Sequence, residues 1–276
     1  MLLFIKICVS ALMVITVTGV AERVSPRFAG VLLGFPLGVG LSLFFIGIEQ
    51  GPEFAASSSL WSIQGLVASL FFCAGYRGAV KFFPWTSRWA VLPPIVIGIV
   101  LFFGASLVLQ QLSLSTLFAR FCVVVFALIT ASVLFRMGLM EQTVTRIRVT
   151  WRMLCIRALS AAVVVVCITE TAELVGPQWS GLFSAFPVTI LPVAALLHFH
   201  YGSTAVLPLF KELPQGMVAI IVFSLAVYTT FPAIGVVPGS CVAYLVAGCY
   251  LLFYELVLRR RVNVTLDRVI RAVSKN

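Results

Sequence analysis

Nine stretches of the chain are each long and apolar enough to cross a bilayer, and that constrains the fold more than any motif does. A transmembrane helix needs ~20 predominantly apolar residues. Such runs fall at about 2–21, 28–48, 60–76, 89–109, 116–136, 153–173, 179–199, 213–231 and 233–257. The last two are one long run cut between Tyr228 and Gly235, where Pro232 and Gly235 are the punctuation. With 61% hydrophobic and 10% charged residues and a mean hydropathy of +1.13, the composition excludes a soluble enzyme, a disordered chain and a nucleic-acid binder.

The net charge of +10 reads as membrane topology. Connections after the first, third, fifth, seventh and ninth runs hold Arg23 and Arg27, then Arg77, Lys81 and Arg88, then Arg136, Arg146, Arg148 and Arg152, then Lys211, then a cluster from Arg259 to Lys275. The intervening connections hold no Lys or Arg, but do hold Glu49 and Glu53. Cytoplasmic loops are enriched in Lys and Arg, so the expected orientation is N-terminus outside and C-terminus inside. Lys6 followed by an apolar run and Gly19-Val20-Ala21 also imitates a signal peptide.

An internal repeat opposes that reading. Displaced by 151 positions, the chain aligns on itself: Leu3, Ile5, Ala11, Val14, Thr18, Ala21, Glu22, Pro26, Gly30, Phe35 and Pro36 meet Leu154, Ile156, Ala162, Val165, Thr169, Ala172, Glu173, Pro177, Gly181, Phe186 and Pro187. Lys6 falls on Arg157, Gly51 on Gly202, and Gln64-Gly65 on Gln215-Gly216. Five crossings separate the starts of the two copies, so the second is upside down, a recurring transporter design. The expected fold is all-α: about nine transmembrane helices, as two inverted four-helix repeats joined by a central helix. The expected divisions are 1–109 (first repeat), 110–137 (linking helix), 138–152 (basic cytoplasmic loop), 153–257 (second repeat) and 258–276 (basic amphipathic tail).

The second copy, with Arg157 in its first helix turn, Ala162-Val163-Val164-Val165, Ser180-Gly181-Leu182, Phe186-Pro187 and Gly202, resembles the GlpM-like small bacterial inner-membrane proteins. The resemblance covers about 75 residues of each copy and implies a membrane protein of the bacterial inner membrane. It implies no biochemical activity. This chain departs from it by its duplication, its central helix, and Gly30-Val31-Leu32 in the first copy where the second has Gly181-Leu182-Phe183.

The candidate site follows from the paired prolines. Pro36 and Pro187 sit about eight residues into their runs, where proline removes a backbone hydrogen bond and frees the carbonyls of Leu32 and Phe183. Gly30, Gly34, Gly181 and Ser184 supply small residues that let helices approach. Two kinked helices would then line one cavity, with Gln64 and Gln215 as polar partners for the freed carbonyls. Alternatively, kinks and small residues merely pack a bundle, and the glutamines cap their own helices. Lys6 and Arg157, near helix starts, read as interfacial anchors that snorkel; if deep, they favour an anionic ligand. Arg120 reads as an anchor too. Glu170 and Glu173 are expected to meet water, and His198 and His200 to be interfacial.

No catalytic constellation, metal site or cofactor motif is discernible, and the seven cysteines read as small hydrophobes. In the tail, apolar Val262, Leu266, Val269, Ile270 and Val273 oppose Arg268, Arg271 and Lys275, as in a helix lying on anionic inner-leaflet lipid. Two functions stand at this point. One is a secondary transporter or permease for a small polar or anionic solute or lipid headgroup. The other is a non-catalytic membrane subunit or assembly factor of a larger envelope complex. The expected partners are the bilayer, a small-molecule substrate, and a protein partner or second copy, with no nucleic acid.

Overall fold

A computed structural model describes residues 2–24, 35–83, 88–112, 116–137, 151–211 and 213–273. The protein is an all-helical membrane protein, with no strand among the described residues. Its helices are α1 (Leu2–Val24), α2 (Leu37–Gln50), α3 (Pro52–Phe82), α4 (Leu92–Gln111), α5 (Leu117–Leu134), α6 (Trp151–Ser184), α7 (Ile190–Tyr201), α8 (Leu207–Lys211), α9 (Leu213–Ile234), α10 (Val236–Phe253) and α11 (Arg259–Val273). Among the described residues, six helices are long and apolar enough to cross a membrane, and three shorter apolar ones cover Leu3–Thr16, Leu37–Gln50 and Ile190–Tyr201. The six long helices overlap the third to sixth, eighth and ninth apolar runs, whereas the first, second and seventh runs are met by the shorter helices, the seventh being divided between the end of α6 and α7.

The main departure from expectation lies in the second and seventh runs. A continuous, kinked helix was expected through each proline. Instead α6 ends at Ser184, ahead of Pro187, and a tight turn stands at each proline. Phe35 O accepts from Leu37 N at 2.7 Å, and Phe186 O accepts from Val188 N at 2.7 Å. With φ −74° and ψ 51°, Pro36 is the centre of an inverse γ-turn. A new helix then starts at each site, with Gly40 N bonding Pro36 O at 2.8 Å and Leu191 N bonding Pro187 O at 2.9 Å. Proline suits this position because its missing N–H is not needed at a helix start.

Glycine with positive φ makes the other breaks. Gly51 (φ 94°) turns α2 into α3, and Gly202 (φ 86°), 151 positions on, ends α7. Gly176 (φ 76°) divides α6 into 151–175 and 177–184, and Gly235 (φ 88°) separates α9 from α10. Pro232, near the end of α9, is tolerated inside the helix. The Glu49–Ser59 segment, read as an external loop, is mostly the start of α3.

Helix α3 is the central element. Its most apolar window is 83% buried, against 28% for α4 and 22% for α5, which present their apolar faces outward. Small residues explain how α3 approaches 177–184. A Cβ on Gly181 would stand 2.1 Å from the Ser58 carbonyl oxygen, and one on Gly65 would stand 2.7 Å from Ala185 Cβ. Ser62 and Ser184 share a hydrogen bond of 2.7 Å across this seam, and Ser69 donates to Ala185 O. Such contacts hold helices together where lipid is as apolar as the side chains.

At the basic end, two buried arginines tie helices together. Arg77 donates to the carbonyls of Leu134 and Met137, satisfying orphan acceptors at the end of α5. Arg136 bonds Asn263 Oδ1 at 2.7 Å and lies 3.8 Å from Asp267. The tail helix therefore docks against the bundle. It continues from α10 through a π-helical turn, Tyr254–Leu258.

Candidate functional site

The two Phe-Pro breaks meet inside the bundle. They border one cavity of about 30 Å³, on the scale of a single water molecule. Its walls come in pairs 151 positions apart: Phe35 and Phe186, Pro36 and Pro187, Gly38 and Thr189, Val39 and Ile190, Leu66 and Met217, Ser69 and Ile220. Ala185 and Val188 complete the lining.

Two helix starts open onto this space. Gly40 and Leu191 donate the first bonds of α2 and α7, so the N–H groups of Gly38, Val39, Thr189 and Ile190 precede the hydrogen-bond ladder. No side chain caps either helix. All four residues line the cavity. Helix N-termini carry partial positive charge and free donors, the combination that binds anions.

The aromatic rings of the breaks are anchored crosswise. Phe186 packs edge-on against Phe102 (centroids 5.0 Å apart) and Phe72 (6.2 Å). Phe35 stacks on Tyr244 at 5.6 Å, where Phe223 also packs at 4.8 Å. Phe72 and Phe223 are again 151 positions apart.

The sequence-predicted site residues divide as follows. Pro36 and Pro187 border the cavity. Gly181 and Ser184 lie instead in the α3 seam, with Ser184 Oγ donating to Gly181 O at 2.7 Å. Gly30 and Gly34 lie outside the described residues, as does the side chain of Arg157. Gln64 and Gln215 are buried, and among the described residues both amides leave their nitrogen and oxygen unpartnered. The carbonyl of Phe183 is taken locally, by Phe186 N at 2.9 Å. Leu32 lies outside the described residues.

The reading of Lys6 as a snorkelling anchor is overturned. Its side chain is 0% exposed, with Nζ 2.6 Å from Glu49 Oε1, 2.8 Å from Glu49 Oε2 and 2.7 Å from Glu170 Oε1. This triad joins α1, α2 and α6. Glu170 stays half exposed alongside its ion pair. His198 is likewise not interfacial: it is buried, with Nδ1 3.2 Å from the Tyr76 hydroxyl. His200 is exposed. Arg120 lies over the Trp61 ring, 4.3 Å from its centroid.

Comparisons with known family models, curated proteins and solved structures found no match to this chain. The likeness to GlpM-like proteins therefore rests on the residues quoted for it alone.

Proposed function

We propose that this chain is a secondary transporter or permease of the bacterial inner membrane, moving a small polar or anionic solute or lipid headgroup. In this reading the chain makes nine crossings, N-terminus outside and C-terminus inside, as two inverted repeats. The observation that carries it is the cavity between the Phe-Pro breaks, whose walls pair residue for residue at the repeat offset. A pseudo-two-fold axis through that space produces such pairing, and inverted-repeat transporters bind at such an axis through broken helices. Two helix starts facing one cavity from opposite copies supply donors and partial positive charge, which supports an anionic ligand over a cationic one. The cavity has room for about one water in this structure, so a larger ligand's entry requires the two copies to rock apart.

The alternative, a non-catalytic subunit in which the breaks only pack, is favoured by the size of the cavity, which admits no more than a water. Thiol labelling separates the two. In a version of the protein lacking its native cysteines, Thr189→Cys is exposed to a small membrane-impermeant thiol reagent on either face of oriented vesicles. Labelling from both faces is expected of a transporter. Protection from both would make the breaks a packing device.

A further inference from the structure

We propose that Lys6, Glu49 and Glu170 form the outer gate of the route to this cavity, and that an entering anion takes Lys6 over from Glu170. The proposal rests on the transport reading above. Loop charges place Lys6, Glu49 and Glu170 together at the non-cytoplasmic end. Two helix faces lead inward from them. On α2, Gly38, Ser42 and Glu49 recur at helical spacing, so Ser42 lies ~10 Å inward of Glu49 and ~6 Å short of the cavity-lining Gly38. On α1, Lys6, Ser10 and Val14 do the same, and Val14 packs in the cluster that contains the cavity residue Val188.

Ser10 and Ser42 are the two polar side chains on these faces between triad and cavity. Both are fully buried, and neither hydroxyl has a partner. Buried polar groups are ordinarily bonded, so an orphan hydroxyl on each face needs an explanation. A hydrated path, collapsed while the triad is closed, supplies one.

The triad itself is unbalanced. Two carboxylates share one ammonium, giving net charge −1, and they hold it unequally. Glu49 is 18% exposed and uses both oxygens, whereas Glu170 is 54% exposed and uses one. Glu170 is thus the partner an incoming anion can displace, leaving Lys6 bridged between Glu49 and the solute. The repeat does not duplicate this set of residues. At the repeat offset, Lys6 maps to Arg157, but Glu49 maps to His200 and Glu170 to Gly19, so the equivalent inner positions carry no carboxylate.

The test uses Ser42→Cys in the full chain with its native cysteines replaced, in right-side-out vesicles. It is labelled from outside by methanethiosulfonates carrying a sulfonate or a trimethylammonium group. With the triad intact, both react slowly. Glu170→Gln should raise the sulfonate reagent's rate about tenfold, the change that follows loss of one charge-assisted contact, and the trimethylammonium rate by less. Lys6→Gln should reverse the preference, and Lys6→Arg should restore it, which separates loss of charge from loss of fold. An unchanged rate in Glu170→Gln overturns the gate. Acceleration without charge preference overturns anion capture. If Thr189→Cys labels from both faces while Ser42→Cys ignores Glu170→Gln, the gate alone fails. If Thr189→Cys labels from neither, the transport reading fails with it.

Discussion

Replacing Gly181 by alanine should be among the most damaging single-methyl changes in the protein. The new Cβ would lie 2.1 Å from Ser58 O, 2.6 Å from Trp61 Cβ and 3.0 Å from Ser58 C. Two of these atoms are backbone, so no side-chain rotation relieves the contact, and ordinary separation requires the 177–184 helix to withdraw by about 1 Å. Overpacking alone costs ~1–3 kcal/mol. Withdrawal also stretches the Ser62–Ser184 and Ser69–Ala185 hydrogen bonds, each worth ~0.5–1.5 kcal/mol. The expected loss is about 3 kcal/mol, or a fall in Tm of roughly 6–12 °C at the ~2–4 °C per kcal/mol of chains somewhat shorter than this one. Thermal unfolding of the detergent-solubilised protein can be followed by tryptophan fluorescence, since Trp61 and Trp179 flank the seam. Gly104→Ala is the control: nothing lies within 4 Å of the methyl it would add, and helix propensity favours alanine there by ~1 kcal/mol. Equal melting temperatures for the two variants would refute the close approach of α3 and α6.

Two further outcomes follow from the contacts. Gly40→Ala should destabilise by about 1–3 kcal/mol, because its Cβ meets the Tyr244 hydroxyl at 2.2 Å; adding Tyr244→Phe removes that oxygen and should recover part of the loss in the same melting assay. Arg136→Ala should release the tail, read as faster hydrogen exchange across Arg259–Val273 with exchange in α3 unchanged.

Helix content and the positions of most breaks were legible from apolar run length and from Pro and Gly. The Gly235 cut is one case: glycine reaches the positive φ that ends α9, while Pro232, near the helix end, costs little. The Phe-Pro pairs were legible as sites but not as γ-turns, because proline's effect depends on whether the chain is free to start a new helix after it. The triad was missed for a different reason. Its members are 43 and 164 positions apart, and a lysine near a helix start resembles a snorkelling anchor. A signal was present all the same: the loop charges place Lys6, Glu49 and Glu170 at one end, where a buried cation and two carboxylates would meet. His198 was misjudged because a histidine two residues from an exposed one gives no hint of the Tyr76 hydroxyl waiting in the core.

The crosswise seating of Phe35 and Phe186 sets an order of events during synthesis. Helices α3 and α4 are made with their aromatic recess vacant, and it fills only when residue 186 emerges, more than 70 residues after the end of α4. Phe35 waits longer still, until Tyr244 is made. The amino-terminal half thus enters the bilayer unfinished, and the carboxyl-terminal half finishes it. A ribosome stalled in the 138–150 stretch would leave a fragment with an open aromatic socket in the lipid, a natural target for the quality-control proteases of the membrane.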